Sequence, residues 1–80
     1  MDLFITMPQL GLTMTEGTVV EWLKQPGDAI EKNEIVVVVS TDKVDFEVES
    51  MVQGKLNRIV VEPGTTVPVG EVLAIVEGPD

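Results

Sequence analysis

Few side chains in this sequence can do chemistry, and the absences narrow the choice as much as the presences. There is no His and no Cys. The commonest general base and metal ligand is missing, and so is the thiolate nucleophile. No disulfide and no classical triad can be built. Besides hydroxyls and carboxylates, the chain offers the amines of Lys24, Lys32, Lys43 and Lys55. A lysine amine in an exposed turn suits covalent modification, because another enzyme can reach it from most directions. Lys24 precedes the Pro26-Gly27 turn, Lys32 sits in the polar turn Glu31-Lys32-Asn33-Glu34, and Lys55 opens a strand beside Gly54. These three read as solvated surface. Lys43 lies in Thr41-Asp42-Lys43-Val44, between two strand-like runs, and is the candidate attachment residue. On residue type alone it is a surface turn lysine.

The carboxylates suggest other chemistries that the pattern does not favour. Asp45, Glu47 and Glu49 alternate with Val44, Phe46 and Val48, so they are spaced along the outside of a strand together with nearby Asp42. A hard-cation site needs oxygens converging on one point, and no metal site is expected. Paired hydrolytic carboxylates need a cleft, for which 80 residues leave no spare volume. The glycines never form a phosphate-cradling loop leading into a helix. Trp22 and Phe46 are too few for base stacking and are expected in the core. No catalytic residue is assigned.

Charge excludes further classes. Fourteen acidic residues against five basic ones leave a net charge of −9. Nucleic acid and anionic membrane surfaces both need the opposite sign. The acidity is read as solubility and as steering toward basic partner surfaces. The longest apolar run, Ile35 to Val39, is far too short to span a membrane. Met1-Asp2-Leu3-Phe4 has no basic region before an apolar stretch, so no secretory signal is read. The default expectation is an intracellular, cytoplasmic domain.

The elements that must position Lys43 are strands. Leu3–Met7, Gly17–Leu23, Ile35–Ser40, Val44–Glu49, Leu56–Val61 and Val72–Val76 are β-prone runs, and Pro-Gly, Asn33, Gly54 and Gly70 separate them. No helix is expected. The chain also repeats. A shift of 37 positions carries Met14 onto Met51, Gly17 onto Gly54, Pro26-Gly27 onto Pro63-Gly64, Glu34 onto Glu71 and Val39 onto Val76. Val19, Trp22, Ile30 and Ile35 fall on Leu56, Ile59, Val67 and Val72. Each half reads Gly, strand, Pro-Gly turn, short strand, turn, strand. A half this size lies below the roughly 40 residues at which folding alone becomes difficult. The halves should bury their apolar faces against each other, as two related sheets in a small sandwich or flattened barrel with pseudo-twofold symmetry. The short link between the runs ending at Ser40 and starting near Val44 should be a tight hairpin with Asp42-Lys43 at its tip. Pro8 to Thr15 reads as a surface loop, in which Leu10 and Leu12 either fold back on the core or touch a partner.

The stretch Met7-Pro8-Gln9-Leu10-Gly11, with Met14-Thr15-Glu16-Gly17-Thr18-Val19 and Trp22, resembles the start of lipoyl domains. Those are the domains of dihydrolipoamide acyltransferases in 2-oxo acid and acetoin dehydrogenase complexes. Pro26-Gly27-Asp28, Glu34, Thr41-Asp42-Lys43-Val44, Gly54, Pro63-Gly64-Thr65 and Val69-Gly70 continue the likeness over essentially the whole chain. The resemblance implies an all-β flattened barrel of two four-stranded antiparallel sheets. It implies covalent lipoate on Lys43, with the lipoyl domain at 1–77 and an interdomain linker starting at 78–80. It also implies a carrier rather than an enzyme. A thiamine-diphosphate decarboxylase acylates the dithiolane reductively, an acyltransferase core passes the acyl group to coenzyme A, and dihydrolipoamide dehydrogenase reoxidises the dithiol. A lipoate ligase or lipoyl transferase attaches the group. Asp42, Val44 and the loop residues Leu10, Gly11, Leu12 and Met14 are the expected recognition surface. The isolated domain is expected to be monomeric, and in a eukaryote to reside in the mitochondrial matrix. A biotinyl carrier domain of a carboxylase is the alternative. That family has Met on both sides of its lysine, whereas Lys43 has Asp42 and Val44.

Overall fold

Eight β-strands make up the regular structure of the chain, which a computed structural model describes over residues 2–9, 11, 14–41 and 44–78. They are β1 (Asp2–Thr6), β2 (Glu16–Trp22), β3 (Ala29–Ile30), β4 (Ile35–Ser40), β5 (Asp45–Glu49), β6 (Gly54–Ile59), β7 (Thr66–Pro68) and β8 (Val72–Glu77). No helix is present among the described residues, so none is long and apolar enough to cross a membrane. Two four-stranded antiparallel sheets form, in the orders β1-β8-β6-β3 and β5-β4-β2-β7. The molecule measures 38 × 21 × 17 Å, a flattened barrel.

The sequence repeat is also a repeat of hydrogen bonds. The Gly27 N–H donates to the Leu56 carbonyl (2.8 Å), and 37 residues on, the Gly64 N–H donates to Val19 (2.7 Å). The Leu56 N–H donates to Asp28 (2.9 Å), and the Val19 N–H to Thr65 (3.0 Å). Leu23 to Val36 is echoed by Val60 to Leu73, and Glu34 to Glu31 by Glu71 to Pro68. The bulge between Val19 and Glu21 has its counterpart between Leu56 and Arg58. Even a left-handed turn repeats: Asn33 (φ 73°) corresponds to Gly70 (φ 94°). Asn is among the few residues that tolerate this region.

Each short strand crosses to the other half. β3 pairs with β6, and β7 pairs with β2. The halves therefore share both sheets as well as one core. Val19, Val36, Val37, Val39, Leu73, Ala74 and Val76 are fully buried there. Of the four valines of β4, Val36, Val37 and Val39 are buried, two of them in succession at the register shift between Ile35 and Val37, while Val38, paired with Glu21 and Glu47, is only half-buried. Trp22 fills the place that Ile59 holds in the other half, and its indole N–H donates to the Val61 carbonyl (2.9 Å). A buried indole requires such a partner.

β1 lies outside the 37-residue repeat but does for β8 what β5 does for β4. The pairs Asp2↔Glu77 and Ser40↔Asp45 occupy equivalent places. Met7 takes the role of Ser50: it receives the Gly70 N–H and donates to Glu71, as Ser50 receives the Asn33 N–H and donates to Glu34. Met7 is thus buried at the end of β1, and the surface loop begins after it. Ser50 is buried as well, satisfied by the Val52 backbone (2.6 Å to the carbonyl). Two details depart from the alternation in the sequence. Val44 belongs to the apolar set of its run but is half exposed, because it precedes the first strand pair of β5. Phe46 is partly buried, packing on the core with part of its ring left open.

Gly54 marks where the sheets allow no side chain. A Cβ there would collide with the Glu77 carbonyl oxygen. Gly11 is exposed, with nothing near such an atom. Gly54→Ala should cost about 2 kcal/mol or more through overpacking, and Gly11→Ala should stay within about 0.5 kcal/mol of the parent. Urea unfolding of the two variants measures both.

Candidate functional site

The hairpin joining β4 to β5 is closed by its last described pair. The Thr41 N–H donates to the Val44 carbonyl (2.9 Å), the Thr41 hydroxyl donates to the same oxygen (3.0 Å), and the Val44 N–H donates to that hydroxyl (3.2 Å). Thr41 thus uses its side chain to complete the turn, a recognised role of a threonine hydroxyl. Covalent continuity leaves 42 and 43 as the link across this pair. Asp42 and Lys43 themselves lie outside the described residues, as do Leu10 and Leu12 of the expected recognition loop.

The remaining candidates come together. Gly11, Met14, Thr15, Glu16, Gly17 and Thr18 form one side of a groove of about 740 Å³, and Ser40, Thr41, Val44 and Phe46 form the other, with Thr66 at its edge. Gly17 makes this possible. Met7 Sδ and Met14 Cε sit 3.0 and 3.1 Å from where a Cβ would be, so both methionines lie down on the glycine and draw the loop against β2. The loop is tied at its base by the Val69 N–H to Thr15 (3.0 Å) and within itself by Met14 N–H to Gly11 (3.2 Å). Thr18 and Thr66, opposite each other in register, share a hydroxyl hydrogen bond of 2.6 Å. The groove is hydroxyl-rich at its rim and apolar at Met14, Val44 and Phe46. Thr41, Thr18 and Thr66 are contributors that residue patterns alone do not single out.

The matching positions of the other half are built differently. The connection from β1 to β2 spans residues 7–15, whereas its counterpart from β5 to β6 spans only 50–53. Met51, the repeat partner of Met14, is 75% exposed.

Charge is divided unevenly between the sheets. The strands of the hairpin sheet carry Glu16, Glu21, Asp45, Glu47 and Glu49 and no lysine or arginine. Those of the other sheet carry Asp2 and Glu77 against Lys55 and Arg58. No group of three or more metal-ligating side chains is found among the described residues. Lys24, read as plain solvated surface, instead pairs with Glu34 at 2.8 Å, at the end of β4 remote from Thr41. The hydrogen bond from Lys24 and that from the Glu31 backbone hold the Glu34 carboxyl below its ordinary value of 4.5. The same Glu34 hydrogen bond raises the Lys24 amine above 10.5.

The family described as "biotin-requiring enzyme", which unites biotin and lipoyl domains, matches residues 4–76. The chain belongs to this biotin–lipoyl family. Within it, the lipoyl domain of the 2-oxoglutarate dehydrogenase complex from Azotobacter vinelandii is 37% identical. It superposes with a TM-score of 0.72, over 96% of this chain and 99% of that one. The dihydrolipoyllysine-residue acetyltransferase component of the acetoin cleaving system from Pseudomonas putida is 51% identical over 72 residues, 90% of this chain. The chain spans only 20% of that relative's length. A single-chain long-chain acyl-CoA carboxylase shares the fold at 22% identity and a TM-score of 0.77, over 99% of this chain and 7% of that one. The chain is therefore a lipoyl domain of the biotin–lipoyl family, with the all-β, two-sheet architecture expected from its sequence.

Two outcomes follow from the hairpin and the ion pair. Thr41→Val removes the hydroxyl that closes the hairpin, at a cost of about 1 kcal/mol. Exchange of the Val44 amide should quicken about fivefold, and Thr41→Ser should restore it. The Lys24–Glu34 contribution is a single interaction seen from both partners. It is present above the unfolded pKa of Glu34 and below that of Lys24, and it is lost as pH falls through the lowered Glu34 value. The stability gap between parent and Lys24→Met, followed by thermal unfolding at low salt, should close on acidification through that range.

Proposed function

We propose that this lipoyl domain is an acyl carrier and that Lys43 is its point of attachment. The observation that carries the reading is the hairpin: the pair Thr41–Val44 closes with two residues between its members, and one of them is the lysine. A modifying enzyme needs an amine it can approach, and Val44 beside it is half exposed. Lipoate bound there would supply a dithiolane able to accept an acyl group and two electrons.

The chain's own residues would act by presentation. Thr41 would hold the base of the hairpin closed through its bonds to Val44. Asp42, Val44, Met14 and the loop from Leu10 to Leu12 would offer a partner a protein surface that free lipoate lacks. The five strand carboxylates of the hairpin sheet would steer the domain toward basic mouths of partner enzymes, an attraction that salt weakens. The partners would be a thiamine-diphosphate decarboxylase, an acyltransferase core, dihydrolipoamide dehydrogenase, and a lipoate ligase or lipoyl transferase. Tethering would raise the local concentration of the arm among them. Residues 78–80 would begin an interdomain linker. The setting would be intracellular, cytoplasmic or the mitochondrial matrix. Acetoin and 2-oxo acid systems both appear among the relatives, so the acyl group is left open. Asp42 and Val44 beside the lysine speak against the biotinyl alternative.

Incubation with lipoate ligase, ATP and lipoate should add a single lipoyl mass, which disappears in Lys43→Ala. Labelling of Lys24, Lys32 or Lys55 instead would move the site. A biotin increment with biotin ligase and no lipoyl increment would change the cofactor.

A further inference from the structure

The size and the position of the groove beside the hairpin suggest an occupant. Its volume falls within the roughly 300–1,000 Å³ of small-molecule sites. Thr41 and Val44, the residues immediately before and after 42 and 43, line it themselves. Its apolar part is Met14, Val44 and Phe46, and its rim is hydroxyls able to meet an amide. Anything attached at residue 43 by a flexible arm is held beside the groove at an effective concentration on the order of millimolar. An intrinsic affinity of only millimolar strength is then enough to keep the arm docked half of the time.

We propose that this groove is the resting site of the domain's own lipoyl arm, with the dithiolane ring against Met14, Val44 and Phe46. The inference rests on Lys43 being the lipoylated residue. Three features favour the arm over a free small molecule. The groove opens at the hairpin that bears the attachment residue. It is formed by the long β1–β2 connection, whose counterpart in the other half is short. In the other half the strands that pair at the matching place, β1 and β8, are not consecutive in the chain, so no short hairpin joins them: Asp2 and Glu77 pair where Ser40 and Asp45 do. The groove and the tether therefore lie at the same end of the repeated fold. Docking would cover the ring between visits to partner enzymes, and a partner would have to draw it out.

The test uses the 80-residue chain lipoylated in vitro, with carbon-13 at the methionine methyls. Intact mass and peptide mapping come first. If no lipoyl increment appears on Lys43, the carrier reading falls and this inference with it. With the increment present, the Met14 methyl should show nuclear Overhauser contacts to the ring protons and shift from its position in the unmodified domain. The methyl of Met51, at the repeat-related position, should stay in place. Met14→Gln, checked for an unchanged fold by circular dichroism, should speed reduction of the ring by a water-soluble phosphine about twofold, as half-docking requires. A lipoylated domain with no Met14 contact to the ring and no rate difference in Met14→Gln overturns the docking and leaves the carrier reading standing.

Discussion

The exchange of β3 and β7 between the halves is the contact on which the rest of the structure depends. Four backbone hydrogen bonds, from Gly27, Leu56, Gly64 and Val19, fasten each half's turn and short strand to the other half's long strand. Neither half has enough apolar surface to fold alone. Once the exchange is made, both sheets are shared, and the valines of β4 face the core made with β8. The pair Thr41–Val44 closes at the end of this arrangement. β4 is an inner strand, held by β2 on one side and β5 on the other, so its end has little freedom to wander.

The proposed site lies where the repeat is broken. A perfectly duplicated fold would present two equivalent ends. Here one end carries a hairpin closed by Thr41 and Val44, and at the matching place of the other the non-consecutive strands β1 and β8 pair through Asp2 and Glu77. The hairpin end alone has the longer loop, with Met14 lying on Gly17. Acidic strand residues accumulate on the hairpin's sheet, while Lys55 and Arg58 offset the acids of the other. Symmetry supplies the scaffold, and three departures from it, in loop length, hairpin closure and charge, set one end of the domain apart from the other.

Much of this was legible in the sequence for a physical reason. Turns with fixed backbone demands leave marks in residue type, so Pro26-Gly27 over Pro63-Gly64 declared the repeat. β-branched runs declared the strands. What stayed hidden has no local mark. β1 follows a different offset from the other strands, so its pairing with β8 in the role of β5 depends on tertiary context. Met7 reads as the edge of a loop and is buried because Gly70 and Glu71 bond to its backbone. The Lys24–Glu34 pair joins two turns distant in sequence. Thr41 gave no sign that its hydroxyl would close the hairpin, and the groove arises from a glycine and two methionines whose spacing follows no strand or helix period. The likeness to lipoyl domains singled out Lys43 where residue type alone left an ordinary turn lysine.

The central claim is that the protein surface around residue 43, and not the attached group alone, is what a partner enzyme recognises. The most direct measurement is transfer of a labelled acyl group from its 2-oxo acid or acetoin by the cognate thiamine-diphosphate decarboxylase, with the lipoylated domain and free lipoamide compared as acceptors. A kcat/KM at least tenfold higher for the domain, about 1.4 kcal/mol of added recognition, is the predicted result. Free lipoamide accepting the group as well as the domain does would contradict it.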